Sequence, residues 1–211
     1  MPKSHASEFL IKMNGSSELR HSPQRMLPLV IRNLSVALLP IIQYPDPVLA
    51  AKAEPVTVFD DELKQLAKDM AETMYAAPGV GLAANQVGVL KRIVVIDISE
   101  DKTDLRVLVN PSITSHTDTL EEFEEGCLSL KGLYEKVKRP DGVTVRAQDL
   151  DGNPVEFAAT GMLAICVQHE IDHLDGLVFI DHLSRLKKDR ACMKLKKLRR
   201  NDKNAAKDKD R

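Results

Sequence analysis

His169-Glu170-Ile171-Asp172-His173 places two imidazoles at i and i+4. On a helix such side chains stand one above the other, so both can reach a single cation. Glu170 projects about 100° further around the axis and is left free to move protons. The chemistry offered is a metal site with its own base. A third ligand is needed. Zinc peptidases with the extended form of this motif use a glycine-spaced histidine downstream; Gly176 is in place, but Phe179 stands where that histidine would be, and Asp175 to Asp189 contains no glutamate to substitute for it. Cys127, within Glu125-Gly-Cys-Leu-Ser129, is the better candidate, because Gly126 lets the backbone come close to a metal and Glu125 lies alongside. A thiolate and two imidazoles leave one coordination position for water, the mark of a catalytic site. Free cysteines are most often inert small hydrophobes, a reading that suits Cys166 and Cys192. His5, His21, His116 and His182 lack spaced partners and read as leader, surface or capping residues.

Gly79-Val-Gly-Leu-Ala-Ala-Asn-Gln86 adds a third segment. It lacks the glycine spacing of a dinucleotide site and the Lys-Ser/Thr ending of a phosphate loop. It does offer a backbone clear of bulk at Gly79, Val80 and Gly81, suited to pairing with an extended peptide. Gln86 follows, an amide able to donate to an oxyanion.

These segments need elements to hold them. Leu63, Leu66, Ala67, Met70 and Met74 fall at i, i+3, i+4, i+7 and i+11 behind Asp60 and Asp61, which predicts a helix that Pro78 and Gly79 stop. Arg92 to Ile98, Arg106 to Val109 and Val143 to Ala147 read as strands, and Asp151-Gly152 as a hairpin turn into Val155 to Ala158. Met162 to Leu174, apolar on most faces, predicts a buried helix carrying the metal motif. Strand clusters around one buried helix, without regular strand-helix alternation, indicate an α+β fold: antiparallel strands packed around a central metal-binding helix, with a C-terminal helix.

Composition sets the bounds. A chain of 211 residues with 43% hydrophobic content supplies one core, and three widely spaced cysteines fit a reducing compartment rather than a disulfide framework. Residues 1–37 are expected to be a leader, tag or transit-like extension, disordered and outside the fold. Residues 38–183 form the catalytic domain, and residues 184–211 a basic helix that gives way to disorder from Asn201. That tail carries 13 Lys/Arg against 4 Asp/Glu, net +9, while the whole chain is at −1. Leu186, Met193, Leu195 and Leu198 are its expected packing residues, and its charge suits RNA. Pro28, Arg32, Asn33 and Pro40 interrupt the apolar run Leu27 to Ile42, so no membrane span is expected.

The three motifs, in this order and at these separations, resemble peptide deformylase from about Leu39 to Leu198. That resemblance implies removal of the N-formyl group from the N-terminal formylmethionine of new polypeptides. It implies that Cys127, His169 and His173 bind one divalent metal ion, ferrous iron in most relatives and zinc, nickel or cobalt in others. Glu170 is then the acid/base, and Gln86 with the Leu128 backbone N–H holds the oxyanion. Met162, Ile165 and Cys166, which share the His169 helix face, would wall an apolar methionine pocket with Val80 and Phe123; Gly79, Gly81 and Glu125 complete the expected substrate contacts. Lys131 and Tyr134 stand where the family commonly has proline and arginine, which sets apart the contacts beyond the methionine. Partners would be nascent chains and, through the basic tail, the ribosome, in the bacterial cytoplasm or an organelle. The competing readings are a zinc metallopeptidase and a catalytically silent ribosome-associated binder.

Overall fold

The computed structural model describes residues 37–209. The expected leader therefore lies outside the described residues except for Ala37. The first predicted helix is α1, Asp61–Ala76. Asp60 caps it by accepting from the Leu63 N–H at 2.9 Å, and Asp61 and Glu62 sit at the positive end of its dipole. Its stripe of Leu63, Ala67, Met70 and Met74 is buried.

Seven strands follow: β1 Gly81–Ala83, β2 Ile93–Ile96, β3 Arg106–His116, β4 Leu120–Gly126, β5 Tyr134–Pro140, β6 Gly142–Gln148 and β7 Pro154–Thr160. Five form an antiparallel sheet in the order β1-β2-β3-β6-β7, while β4 and β5 pair separately. Two helices come last, α2 Gly161–Leu174 and α3 Arg185–Lys209. This is the expected α+β architecture.

The unbroken apolar run of β2 has a reason. Val94 and Ile96 pack with Val167, Ile171 and Leu174 of α2, whereas Ile93 and Val95 pack with Leu63, Met70 and Met74 of α1. Alternate side chains of a strand point to opposite faces, so a strand with a helix on each side is apolar throughout.

The sequence reading assigned no strand to β4 or β5, because β4 is rich in glutamate and β5 in lysine, both poor strand formers. Pairing compensates: Glu122 lies opposite Lys138 and Glu124 opposite Lys136. Strand β3 also runs past the predicted Val109 to His116, bridging through irregular register onto β6. The third correction concerns α3, which continues to Lys209 instead of fraying at Asn201. No glycine or proline interrupts it, and alanine and lysine are good helix formers. Its packed face also differs from the one expected. Ala191 and Leu195 are buried against Leu130, Leu133, Phe179 and Ile180, while Leu186 and Met193 point to solvent.

Candidate metal centre

Helix α2 brings His169 and His173 together as predicted, their ring centroids 5.0 Å apart. Cys127 arrives from another direction, at the residue that leaves β4 and opens the 3-10 turn Leu128–Leu130. Its Sγ lies 3.2 Å from His173 Nε2. One ligand atom each from Cys127, His169 and His173 lie within 4.8 Å of one another. Bonds of about 2.0 to 2.3 Å in a tetrahedron set ligand atoms about 3.5 Å apart, so these donors fit one ion after small adjustments. Nδ1 of His169 meets Glu125 Oε2 at 2.8 Å, which turns Nε2 towards the cysteine.

The glycine before the cysteine has a different purpose from the one expected. Gly126 lies opposite Tyr134, and a Cβ there would come 2.6 Å from the Tyr134 ring. It is the aromatic ring across the hairpin that requires this glycine. Gly81 is a close approach that bears on the site, because any side chain there would strike Glu170 Oε1 and Cys166 Sγ. Strand β1 thereby lies against the α2 face that carries the site. It is also an end strand of the five-stranded sheet, with β2 on one side only.

Glu170 is buried, and its Oε2 has no hydrogen-bond partner among the described residues. Burial pushes its carboxyl up to about 7, against the pull of the His169 and His173 imidazoles. A base whose pKa lies near neutrality suits proton transfer. Cys127 moves the other way: burial raises the thiol, but His173 and His169 beside it outweigh that and bring it down to about 5. A thiolate is the form that binds a metal. The acidified thiol and the two facing imidazoles make a donor set that fits a divalent ion, and the unpartnered Glu170 oxygen lies on the same helix turn.

Gln86 sits in the 3-10 turn Ala84–Val87. Its Oε1 accepts from the Ala83 N–H at 2.8 Å, which fixes the amide orientation because a backbone N–H can only donate. Nε2 then faces Cys127 Sγ at 3.5 Å. Asn85, one residue earlier, donates to the His173 carbonyl and so ties this turn to the end of α2. Leu128 supplies the first N–H of its turn, which has no acceptor within that turn.

Glu125 is not placed as a substrate contact. It is 5% exposed, and both its oxygens are taken. Arg139 Nε donates to Oε1 at 2.5 Å and Nη2 to Oε2 at 3.1 Å, with His169 on Oε2 as well. Burial raises its carboxyl, but the bonds from His169 and Arg139 outweigh this and hold it below the ordinary carboxylate value. Arg139 goes on to Asp172 Oδ2 at 2.7 Å, and His182 meets the same oxygen at 2.7 Å. The sequence reading missed Arg139 and Asp172. The available signal was the alternation of β5, which puts Arg139 on the inward face with Val137.

The expected methionine pocket is mixed. Ile165 and Cys166 are buried, and the Cys166 thiol donates to the Val80 carbonyl at 3.6 Å. Phe123 is half-buried on the same face of β4 as Glu125. Met162 is 58% exposed at the start of α2, two turns from His169, and Val80 is also exposed.

Comparison with known proteins follows the same residues. The profile of the polypeptide deformylase family matches residues 38–189. A peptide deformylase of Pseudomonas aeruginosa is 54% identical over 165 residues, covering 78% of this chain and 98% of its own. Among solved structures, a peptide deformylase from Legionella pneumophila is 49% identical with a TM-score of 0.75, covering 79% of this chain and 98% of that one. One from Synechococcus elongatus, in complex with actinonin, is 43% identical with a TM-score of 0.71 over 74% of this chain and 86% of its own.

Proposed function

The chain belongs to the polypeptide deformylase family, a hydrolase that removes the N-formyl group from the N-terminal formylmethionine of new polypeptides, and on that premise we propose how its residues share the reaction. The observation that carries the reading is the unpartnered Glu170 carboxylate on the same helix turn as two imidazoles that meet a thiol. Cys127, His169 and His173 hold the metal. When bound, a divalent ion supplies Lewis-acid polarisation and makes water acidic enough to attack at neutral pH. Glu170 takes the proton of the attacking water and returns it to the departing amine. Gln86 Nε2 and the Leu128 N–H donate to the oxygen that gains charge, and formate leaves with a free N-terminus. Glu125, pinned by Arg139, holds His169 in the orientation it needs.

Val80, Gly81, Ile165 and Cys166 form the inner wall of the methionine pocket, with Phe123 and Met162 further out. Gly79 to Gly81 offer backbone to the peptide, which the end position of β1 supports. The working ion is ferrous iron, as the family resemblance implies; anaerobic loading with iron, zinc, nickel or cobalt, followed by turnover measurement, tests this. The bacterial relatives support a bacterial cytoplasm as the compartment, with an organelle as the alternative. Among the described residues no helix is long and apolar enough to cross a membrane.

The test of the activity is formate release from a formyl-Met peptide beside an unformylated one. Formate should appear with the first alone, and neither peptide should be cut. Internal cleavage without formate would point to a peptidase. The basic face of α3 is our proposed ribosome contact, supported by exposed Lys187, Lys194, Lys196 and Lys197. Replacing these four with glutamine should weaken ribosome binding and flatten its salt dependence; an unchanged salt slope would exclude α3 as the contact.

A further inference from the structure

Ser129 is fully buried in the turn that carries Leu128, and the reaction as described gives it no part. Its hydroxyl oxygen accepts from Gln86 Nε2 at 3.2 Å, while the same nitrogen reaches Cys127 Sγ at 3.5 Å. A carboxamide nitrogen carries two hydrogens. With one tied to Ser129 and the amide oxygen tied to Ala83, the second hydrogen is aimed at Cys127 and the space beside it. Without Ser129 the amide would keep one anchor and could swing about it.

The backbone around this point is held in the same way. Ser129 C=O accepts from the Tyr44 N–H at 2.9 Å and Gln86 C=O from the Ile42 N–H at 2.8 Å. Between them, Gln43 Nε2 donates to Leu128 C=O at 2.9 Å. Three consecutive residues thus fasten the Gln86 turn and the Leu128 turn to a single stretch of chain. The Cys127 C=O, in the same peptide plane as the Leu128 N–H, accepts from the Leu130 N–H at 3.0 Å.

We propose that Ser129 is a positioning residue of the oxyanion site: its hydroxyl selects the Gln86 rotamer that aims one amide hydrogen at the developing charge. The Ile42–Tyr44 segment keeps the Gln86 and Leu128 donors at a fixed separation. This rests on the assignment of Gln86 and Leu128 as the oxyanion donors, and the test separates the two.

Four variants are compared in the metal-loaded enzyme: Ser129→Ala, Gln86→Leu, the double variant and Gln43→Ala. Removing a whole oxyanion donor costs about 10²- to 10³-fold in kcat, so Gln86→Leu should fall in that range. Ser129→Ala, which misaims a donor that remains, should lose about tenfold in kcat with KM and metal content unchanged. In the Gln86→Leu background it should cost nothing further. Gln43 is exposed, so Gln43→Ala leaves the core intact; it should lower kcat about threefold. A readout independent of turnover is the ¹⁵N–¹H signal of the Gln86 side-chain amide, which should shift and exchange faster in Ser129→Ala.

Wild-type kcat in Ser129→Ala beside a disabled Gln86→Leu overturns the positioning role and leaves the oxyanion assignment standing. An equal loss in both backgrounds overturns it too, since the hydroxyl would then act without Gln86. Wild-type kcat in Gln43→Ala overturns the role given to the Ile42–Tyr44 segment. Full activity in Gln86→Leu overturns the oxyanion assignment, and the proposal with it.

Discussion

Helices α2 and α3 follow each other closely in the chain and put polar residues to opposite uses. Ten of the fourteen residues of α2 are buried, among them Gln168, His169, Glu170 and His173. Helix α3 buries Ala191 and Leu195 and leaves Lys187, Lys194, Lys196 and Lys197 in water. A buried ionisable group must be paired, coordinate a metal or shift its pKa. Glu125 and Arg139 take the first course, while Glu170, left unpaired, takes the last, its carboxyl pushed up to about 7. The charges of α3 meet a high dielectric and are screened, so each matters little to the fold. Even there, Lys188 differs from its neighbours: it is tied to Asp181 and belongs to the body of the protein.

If this contrast is right, substitutions in α2 should be severe and those in α3 mild. The largest effect is expected from Glu170→Gln. The amide keeps the shape but cannot accept the proton, so turnover should fall by about 10³-fold or more with metal content unchanged. Formate release and metal analysis on the same sample check this; parallel loss of metal would make Glu170 a ligand instead.

Glu125→Gln comes next. It leaves His169 and Arg139 without their anion and should cost about 10- to 100-fold in metal affinity or activity. Removing one partner of a buried ion pair should also cost about 3 to 5 kcal/mol of stability. Chelator competition and urea unfolding measure the two losses. An effect below twofold would reduce the network to packing.

The same Glu170→Gln substitution should stabilise the metal-free protein. A carboxyl raised in the folded state from 4.5 to about 7 keeps its proton while the unfolded chain ionises, so native stability drains away as pH rises across that window. The variant should gain up to about 3 kcal/mol at pH 8 and nothing at pH 4. Urea unfolding at both pH values reads the difference, and an equal gain at both would contradict the burial argument.

The smallest effect belongs to α3. With Lys187, Lys194, Lys196 and Lys197 all changed to glutamine, turnover on a short formyl-Met peptide should stay within about twofold and stability within about 0.5 kcal/mol. A tenfold fall in turnover would mean that the outer face of α3 reaches the site.

Much of this molecule was legible in advance wherever the signal was local. Helix α1 announced itself through Asp60 and a 3.6-residue stripe, and the metal helix through two imidazoles one turn apart. Strands β2, β6 and β7 showed as apolar or alternating runs. The β4–β5 hairpin did not, because each strand alone looks like a soluble charged segment, and only pairing sets Glu122 opposite Lys138 and Glu124 opposite Lys136. Glu125 was misplaced for the same reason. A glutamate beside a metal ligand gives no sign of an arginine 14 residues away and a histidine 44 residues away.

What the sequence determined by itself was chemical identity and short-range geometry. A thiol, two imidazoles spaced to share an ion and a carboxylate between them are fixed by residue type and helix pitch. The tertiary structure alone decided which of two buried carboxylates would be paired and which left without a partner, and which atom of Gln86 would face Cys127. Those outcomes depend on desolvation and on partners supplied by distant strands, and both come into being only when the chain has folded.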